Sequence, residues 1–263
     1  MRVIIKKDYE DVTDWAATYI AYKINRARPT KEKPFVLGLP MGDTPKGMYK
    51  KLIELNHKGK LSFANVVIFC MNEFVGIDAK APQSCHSYMN EFLLKHIDSK
   101  ASNIYILDGK TKNYEKECEN FELAIRQKGG IDLFVGGVGS DGHIAFNEPF
   151  SSLSSHTRVK TLTTETMRIK AKLFDDDITK VPHTVLTVGI GTVMAAKEVL
   201  ILATGSTKAD ATKAAIEGSV NHRWAVSALQ MHKHGIYLCD EEATSKLEGS
   251  TISYLKDIER HAY

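Results

Sequence analysis

The chain has 263 residues, 43% hydrophobic and 25% charged, enough to bury a sizeable core as one large domain or two small ones; no linker is evident, and a single domain spanning 1–263 is the expectation. Its 35 Lys and Arg against 32 Asp and Glu leave a formal net charge of +3, too small and too evenly spread to argue for nucleic acid or a membrane surface. The longest fully apolar runs are of strand length, so no span is expected to cross a bilayer. Short apolar runs then alternate with helical periods. A strand is predicted at 3–5, followed by a helix over 8–27 with Val12, Trp15, Ala16, Tyr19, Ile20 and Ile24 on one stripe. A strand at 35–39 leads through a turn from Pro40 to Pro45 into a helix over 46–57. Strands follow at 66–69, 103–107 and 131–135, with helices over 87–96 and 114–128. Later strands are predicted at 184–188, 199–203 and 235–239, with a helix over 208–217. This alternation predicts an α/β fold: a mostly parallel sheet with helices on both faces. In such sheets ligands bind outside the strand carboxyl ends, so the loops after Leu39, Phe69, Val135 and Ala203 should meet on one side. Cys70, Cys85, Cys118 and Cys239 lack close pairing or metal-type spacing, and the apolar patch after Met1 is too short for a signal peptide. Reduced thiols in a cytoplasmic protein are the expectation.

One stretch concentrates chemistry. It reads Gly136-Gly137-Val138-Gly139-Ser140-Asp141-Gly142-His143-Ile144-Ala145-Phe146-Asn147-Glu148-Pro149. Its four glycines allow a sharp turn and close approach to a ligand. Asp141, His143 and Glu148 can accept, pass and return a proton near neutral pH. Spacing alone leaves an even choice between this reading and a solvated turn, with Asp141 as its cap and Glu148 exposed. Two strand–turn–helix junctions suit a phosphate: the turn carrying Gly42 and Thr44, and the turn from Thr204 to Lys208 that ends in a cation. Singly, each reads as an ordinary turn; together in one sheet they fit a sugar-phosphate site better.

The string Gly139-x-Asp141-Gly142-His143-Ile144-Ala145-Phe146-Asn147-Glu148-Pro149 resembles the signature of glucosamine-6-phosphate deaminases. Segments beginning at Phe35, Ser151, Thr157, Leu186 and Ala228 resemble that family's segments in the family's order, and the likeness runs nearly the whole chain. The resemblance implies a Rossmann-like fold of the deaminase–isomerase type. It implies conversion of glucosamine 6-phosphate and water to fructose 6-phosphate and ammonium, with no metal or organic cofactor. It places ring opening on His143, oriented and tuned by Asp141 and Glu148, and phosphate contacts on Gly42, Thr44, Lys172 and Lys208. It further implies an N-acetylglucosamine 6-phosphate effector site at a subunit interface, matching Ser151, Ser152, Arg158, Lys160, Thr161 and Tyr254, in a homo-oligomer that is commonly a hexamer. Arg158 and Lys160 would share one strand face and could hold a phosphate, although a solvated basic face is the commoner fate of such a pair.

The chain departs from the family pattern at several of these positions. Met41 and Asp43 stand where small or hydroxyl residues are usual, and Lys172 replaces an arginine, keeping the charge but losing the bidentate fork. A carboxylate at position 43 some ~5 Å from a phosphate would oppose it by several kcal/mol at an effective dielectric of about 20, unless it points away or Lys46 offsets it. The segment from Val66 to Gly76 carries Asn72 where the family has the aspartate that takes a proton from carbon. An amide cannot accept that proton, and loss of a positioned base typically lowers rate about 10²–10⁴-fold. On an extended backbone the neighbouring Glu73 would face the other way. A slow deaminase, a sugar-phosphate-binding paralogue and an inactivated variant are all consistent with these residues. A sugar-phosphate lactonase is a further rival, against which the Asp141–His143–Glu148 string argues.

Overall fold

Strands without a polar face, such as Val66–Cys70 and Val199–Ala203, are buried along their whole length, which demands cover on both sides. The computed structural model, which describes residues 1–261, provides it. In chain order the elements begin β1 (Arg2–Lys6), α1 (Tyr9–Ala27), β2 (Phe35–Leu39), α2 (Lys46–His57), β3 (Val66–Cys70), β4 (Asn72–Phe74) and α3 (Cys85–Phe92). They continue with β5 (Ile104–Tyr105), α4 (Tyr114–Gln127), β6 (Leu133–Gly137), β7 (Arg158–Thr161), α5 (Thr164–Lys170) and β8 (Thr184–Thr187). The last are α6 (Ile190–Met194), β9 (Val199–Ala203), α7 (Ala209–Ile216), β10 (Gly235–Asp240) and α8 (Gly249–Arg260).

Seven strands form one parallel sheet in the order β1-β10-β9-β6-β2-β3-β5. Side chains alternate between two layers. Leu200 and Leu202 of β9 join Ile20, Leu52 and Met89 from α1, α2 and α3. Val199, Ile201 and Ala203 join Phe121, Val193 and Ala211 from α4, α6 and α7. Burying one such large aliphatic side chain stabilises the fold by about 1.5–3 kcal/mol relative to exposure. Helix α1 buries Val12, Ala16, Ile20 and Ile24, most of its expected stripe, and starts at Asp8, whose carboxylate accepts from Asp11 N at 3.0 Å.

The strand order explains where a ligand can sit. From β2 the chain steps outward through β3 to β5; from β6 it steps the opposite way through β9 to β10. The reversal between β2 and β6 opens a crevice beyond their carboxyl ends.

Several expectations are corrected. The strand expected at 184–188 lies outside the parallel sheet. As β8 it pairs antiparallel with β4 and β7 in a second, three-stranded sheet. Its neighbour β7 alternates half-buried and exposed residues, the pattern of an edge strand. Gly136 and Gly137 belong to β6, where they pair with Ile201 and Leu202, so the turn proper begins after them. The helix expected over 87–96 starts at Cys85, capped by the Ser84 hydroxyl, and breaks before a 3₁₀ turn at Leu94–His96. Only Ile104–Tyr105 of the strand expected at 103–107 is paired. The three residues of β4 and five of α6 are too short for a periodic signal. Among the described residues, no helix is long and apolar enough to cross a membrane. All four cysteines are free and buried.

Asn147 joins the glycine-rich loop to the small sheet. Its amide nitrogen donates to Val188 O at 2.7 Å and Ile144 O at 3.0 Å, and its oxygen accepts from Arg158 Nη1 at 2.9 Å. Asn147→Ala would remove three hydrogen bonds at once, leaving Ile144 O with only the backbone N–H of residue 147, Val188 O with only a long bond from Thr187 Oγ1, and Arg158 Nη1 with only His156 O. The variant is expected to lose about 2–4 kcal/mol of unfolding free energy in urea titration. A loss under about 1 kcal/mol would mean that the loop holds its shape without this bridge.

Candidate active site

The loops after β2, β3, β6 and β9 meet, as the alternation of elements requires, around a cavity of about 580 Å³. Gly42, Asp43 and Thr44 line it from the first loop, Met71 and Asn72 from the second. Gly137, Gly139, Ser140 and His143 come from the third, Thr204 and Lys208 from the fourth. Helix α5 closes one side with Thr166, Ile169 and Lys170.

At the centre of the third loop, Asp141 Oδ1 lies 2.6 Å from His143 Nδ1 and also accepts from His143 N at 3.2 Å. An ionised carboxylate only accepts, so Nδ1 carries the proton and Nε2 keeps its lone pair. Burial pushes the Asp141 carboxyl up, but the His143 bond and charge outweigh it, and the net shift is below the usual carboxylate value. Gly139 makes this geometry possible: a Cβ there would stand 2.2 Å from the His143 ring and 2.6 Å from Asp141 Oδ1. Its N–H donates to His143 O at 2.9 Å, closing the loop.

Glu148, expected beside His143, is elsewhere. It is 3% exposed and accepts from Thr163 N at 3.1 Å and Thr163 Oγ1 at 3.0 Å, with no hydrogen bond to His143 among the described residues. Thr163 in turn caps α5 by accepting from Thr166 N at 3.2 Å. The carboxylate therefore anchors the helix that closes the cavity.

Asn72 lines the cavity and is 5% exposed, and its Oδ1 has no hydrogen-bond partner. Glu73 faces away, as alternation on an extended backbone requires. Its carboxylate accepts from Cys85 N at 2.9 Å and lies 3.0 Å from His86 Nδ1, buried at the start of α3. It is not available as a substitute base.

The opposite end of the cavity is built for an anion. The N–H groups of Gly42, Asp43 and Thr44 have no acceptor among the described residues, and Gly42 has φ +128°, a conformation open to glycine. Lys208 follows at the start of α7 with no anionic partner within salt-bridge distance among the described residues, and burial holds its ammonium below the usual lysine value. Asp43 is harmless: its side chain is 98% exposed and pairs with Lys46 Nζ at 2.7 Å. In water-like surroundings its repulsion of a phosphate falls toward about 1 kcal/mol.

The expected Lys172 is exposed and does not line the cavity. Lys170 does, half-buried, with Nζ 5.3 Å from the Phe146 ring centroid. Thr166 and Lys170 stand four apart, so α5 presents both to one side. Recognising that helix was the missing signal. Tyr9, also unanticipated, accepts from Gly47 N at 2.9 Å and steadies the first loop.

The residues matched to an effector site are scattered among local tasks. Ser151 is buried with an unpartnered hydroxyl, and the exposed Ser152 Oγ lies 3.0 Å from Ser154 Oγ. Arg158 and Lys160 share the half-buried face of β7 as expected, but Arg158 is engaged by Asn147. Thr161 is exposed, and Tyr254 is 67% exposed on α8, which packs beside β1.

Residues 7–238 match the family model described as glucosamine-6-phosphate isomerases/6-phosphogluconolactonase. A glucosamine-6-phosphate deaminase of Phocaeicola vulgatus is 56% identical over 260 residues, covering 99% of each chain. One from Treponema denticola is 55% identical, covering 99% of this chain and 96% of its own. A solved monomeric glucosamine-6-phosphate deaminase superposes with TM-score 0.87 at 38% identity, covering 93% of this chain and 99% of its own. The 6-phosphogluconolactonase of Trypanosoma cruzi, at TM-score 0.71 and 21% identity, shares the fold. By the family model and by these identities, the chain belongs to the glucosamine-6-phosphate isomerase/6-phosphogluconolactonase family.

Proposed function

We propose that the chain is an enzyme of amino-sugar breakdown, a deaminating isomerase that converts glucosamine 6-phosphate and water to fructose 6-phosphate and ammonium. The observation that carries this reading is one cavity with an oriented His143–Asp141 pair and, at its other end, free loop amides and unpaired lysines. That combination suits a phosphorylated sugar whose far end must exchange protons. The Gly42–Thr44 amides and Lys208 hold the phosphate. His143 Nε2 takes the proton of the anomeric hydroxyl and returns it to the ring oxygen, opening the ring, while Asp141 keeps the tautomer and steadies the charged imidazole.

Transfer of the proton from the carbon bearing nitrogen requires a base at position 72. The Asn72 amide can hydrogen-bond the developing enol oxygen but cannot accept that proton, and Glu73 is committed to α3. Turnover is therefore slow, with water as the acceptor. A sugar-phosphate-binding role with little turnover is the second reading, favoured by the same residue. The proposal extends, by family likeness, to a cytoplasmic homo-oligomer, a hexamer, with an N-acetylglucosamine 6-phosphate effector site around Ser151, Ser152, Arg158, Lys160, Thr161 and Tyr254.

Asn72→Asp is expected to raise ammonium and fructose 6-phosphate formation by about 10²–10⁴-fold over the native chain. Equal rates would show that position 72 does not limit turnover; absence of calorimetric binding of glucosamine 6-phosphate by either chain would sink the substrate assignment. Gly139→Ala, made in the Asn72→Asp chain, should reduce turnover at least about 10²-fold, because the added methyl displaces the His143 ring. Unchanged kcat would rule out His143 as the ring-opening group. Phosphate binding should also draw protons. Burial has lowered the Lys208 ammonium, and a bound dianion raises it again, so the complex takes up protons as pH rises toward the lysine range. Calorimetric titrations at alkaline pH in buffers of different ionisation heat should report net uptake; net release would reverse this assignment.

A further inference from the structure

The family likeness puts the second phosphate cation at Lys172 and treats Glu148 as a partner of His143. The structure supports neither placement. Lys172 is exposed and outside the cavity, while Lys170 lines it over the face of Phe146. Lys170 has no salt-bridge partner among the described residues; Asp43, whose charge acts on it, is paired with Lys46. Burial holds its ammonium below the ordinary lysine value; the Asp43 charge opposes that shift and the charge of Lys208 adds to it, as expected where two cations that make no salt bridge among the described residues face one space. Such an arrangement is unfavourable alone and becomes favourable when a dianion enters.

The position of Lys170 depends on the helix that carries it. Helix α5 has only seven residues, too short to persist without tertiary support. Its first turn is fixed by the Thr163 hydroxyl, and Thr163 is fixed by three contacts to the buried Glu148 carboxylate. Four residues after Thr166, Lys170 projects into the cavity from the last turn.

We infer that Lys170 is the second phosphate-binding cation of this site, and that Glu148 is a positioning residue acting through the Thr163 cap of α5 rather than through His143. This rests on the sugar-phosphate reading given above, and it adds which lysine on which element recognises the phosphate and what holds that element in place. Glu148, five residues after His143 in the chain, thereby ties the glycine-rich loop to the closing helix through Thr163.

The test is calorimetric titration of the full chain with glucosamine 6-phosphate, inorganic phosphate and unphosphorylated glucosamine. Lys170→Ala should weaken both phosphate ligands by about 10- to 100-fold, with Lys170→Arg retaining most of the affinity, and Lys172→Ala should change it by less than about threefold. Glu148→Gln, and Thr163→Ala as a second route to the same cap, should weaken the phosphate ligands and leave any glucosamine binding unchanged. In the cycle of Glu148→Gln with Lys170→Ala, the double variant should be no more than about threefold weaker than Lys170→Ala alone. Additive losses, or a larger effect at Lys172 than at Lys170, would overturn the inference. If the native chain binds inorganic phosphate in a Lys170-dependent way but not glucosamine 6-phosphate, the substrate reading fails and the Lys170 subsite stands. If it binds no phosphate ligand at all, both fall.

Discussion

Everything at the site depends on the reversal of strand order between β2 and β6. A parallel sheet can bring loops together beyond its carboxyl edge only where neighbouring strands carry the chain in opposite directions across the sheet. Here that place sets the Gly42 loop beside the glycine turn that follows β6, and flanks them with the loops after β3 and β9. The strands that fix these positions have buried faces on both sides, so the crevice edge is held by two hydrophobic layers and not by the loops themselves. Loops anchored so firmly at their roots can carry free amides, close glycine contacts and unpaired cations without collapsing.

The electrostatic arrangement follows from this rigidity. One end of the cavity holds an acid-oriented imidazole; the other holds positive charge without its counterion. Burial depresses both the Lys208 and Lys170 ammonium groups, and in the proposed reading a dianion between them would reverse that shift. Asp43, which by composition alone opposes that gain, is turned toward solvent and paired with Lys46, though its charge still reaches Lys170.

Much of the fold was legible in the chain. Continuous apolar runs such as Val199 to Ala203 mark strands covered on both sides, and the stripe from Val12 to Ile24 marks a helix lying on them. The convergence of four loops followed from that alternation without any side chain being placed. What the chain did not disclose is which element a short segment joins. The strand at 184–188 has the composition of a sheet interior and is one, but of a separate sheet, where it lies between β4 and β7 and pairs antiparallel with both. At the cavity, the placement of His143 and Asn72 on its wall and of Asp141 beside His143 was legible, because local loop geometry sets it. Glu148 and Lys170 were not, because their roles depend on α5, a seven-residue helix whose existence rests on a contact with Glu148 itself.

The surroundings of position 72 carry a consequence of their own. The backbone there is fixed by pairing of Asn72 with Thr187 and by Val188 N donating to Met71 O at 2.9 Å. Asn and Asp have the same shape and differ by a nitrogen in place of an oxygen. In the reading proposed above, the cavity keeps its recognition loops and its oriented histidine, and one atom of one side chain separates the amide present from a carboxylate that could take a proton. The Asn72 Oδ1 has no hydrogen-bond partner among the described residues, so a carboxylate at that position would displace no existing contact of that atom.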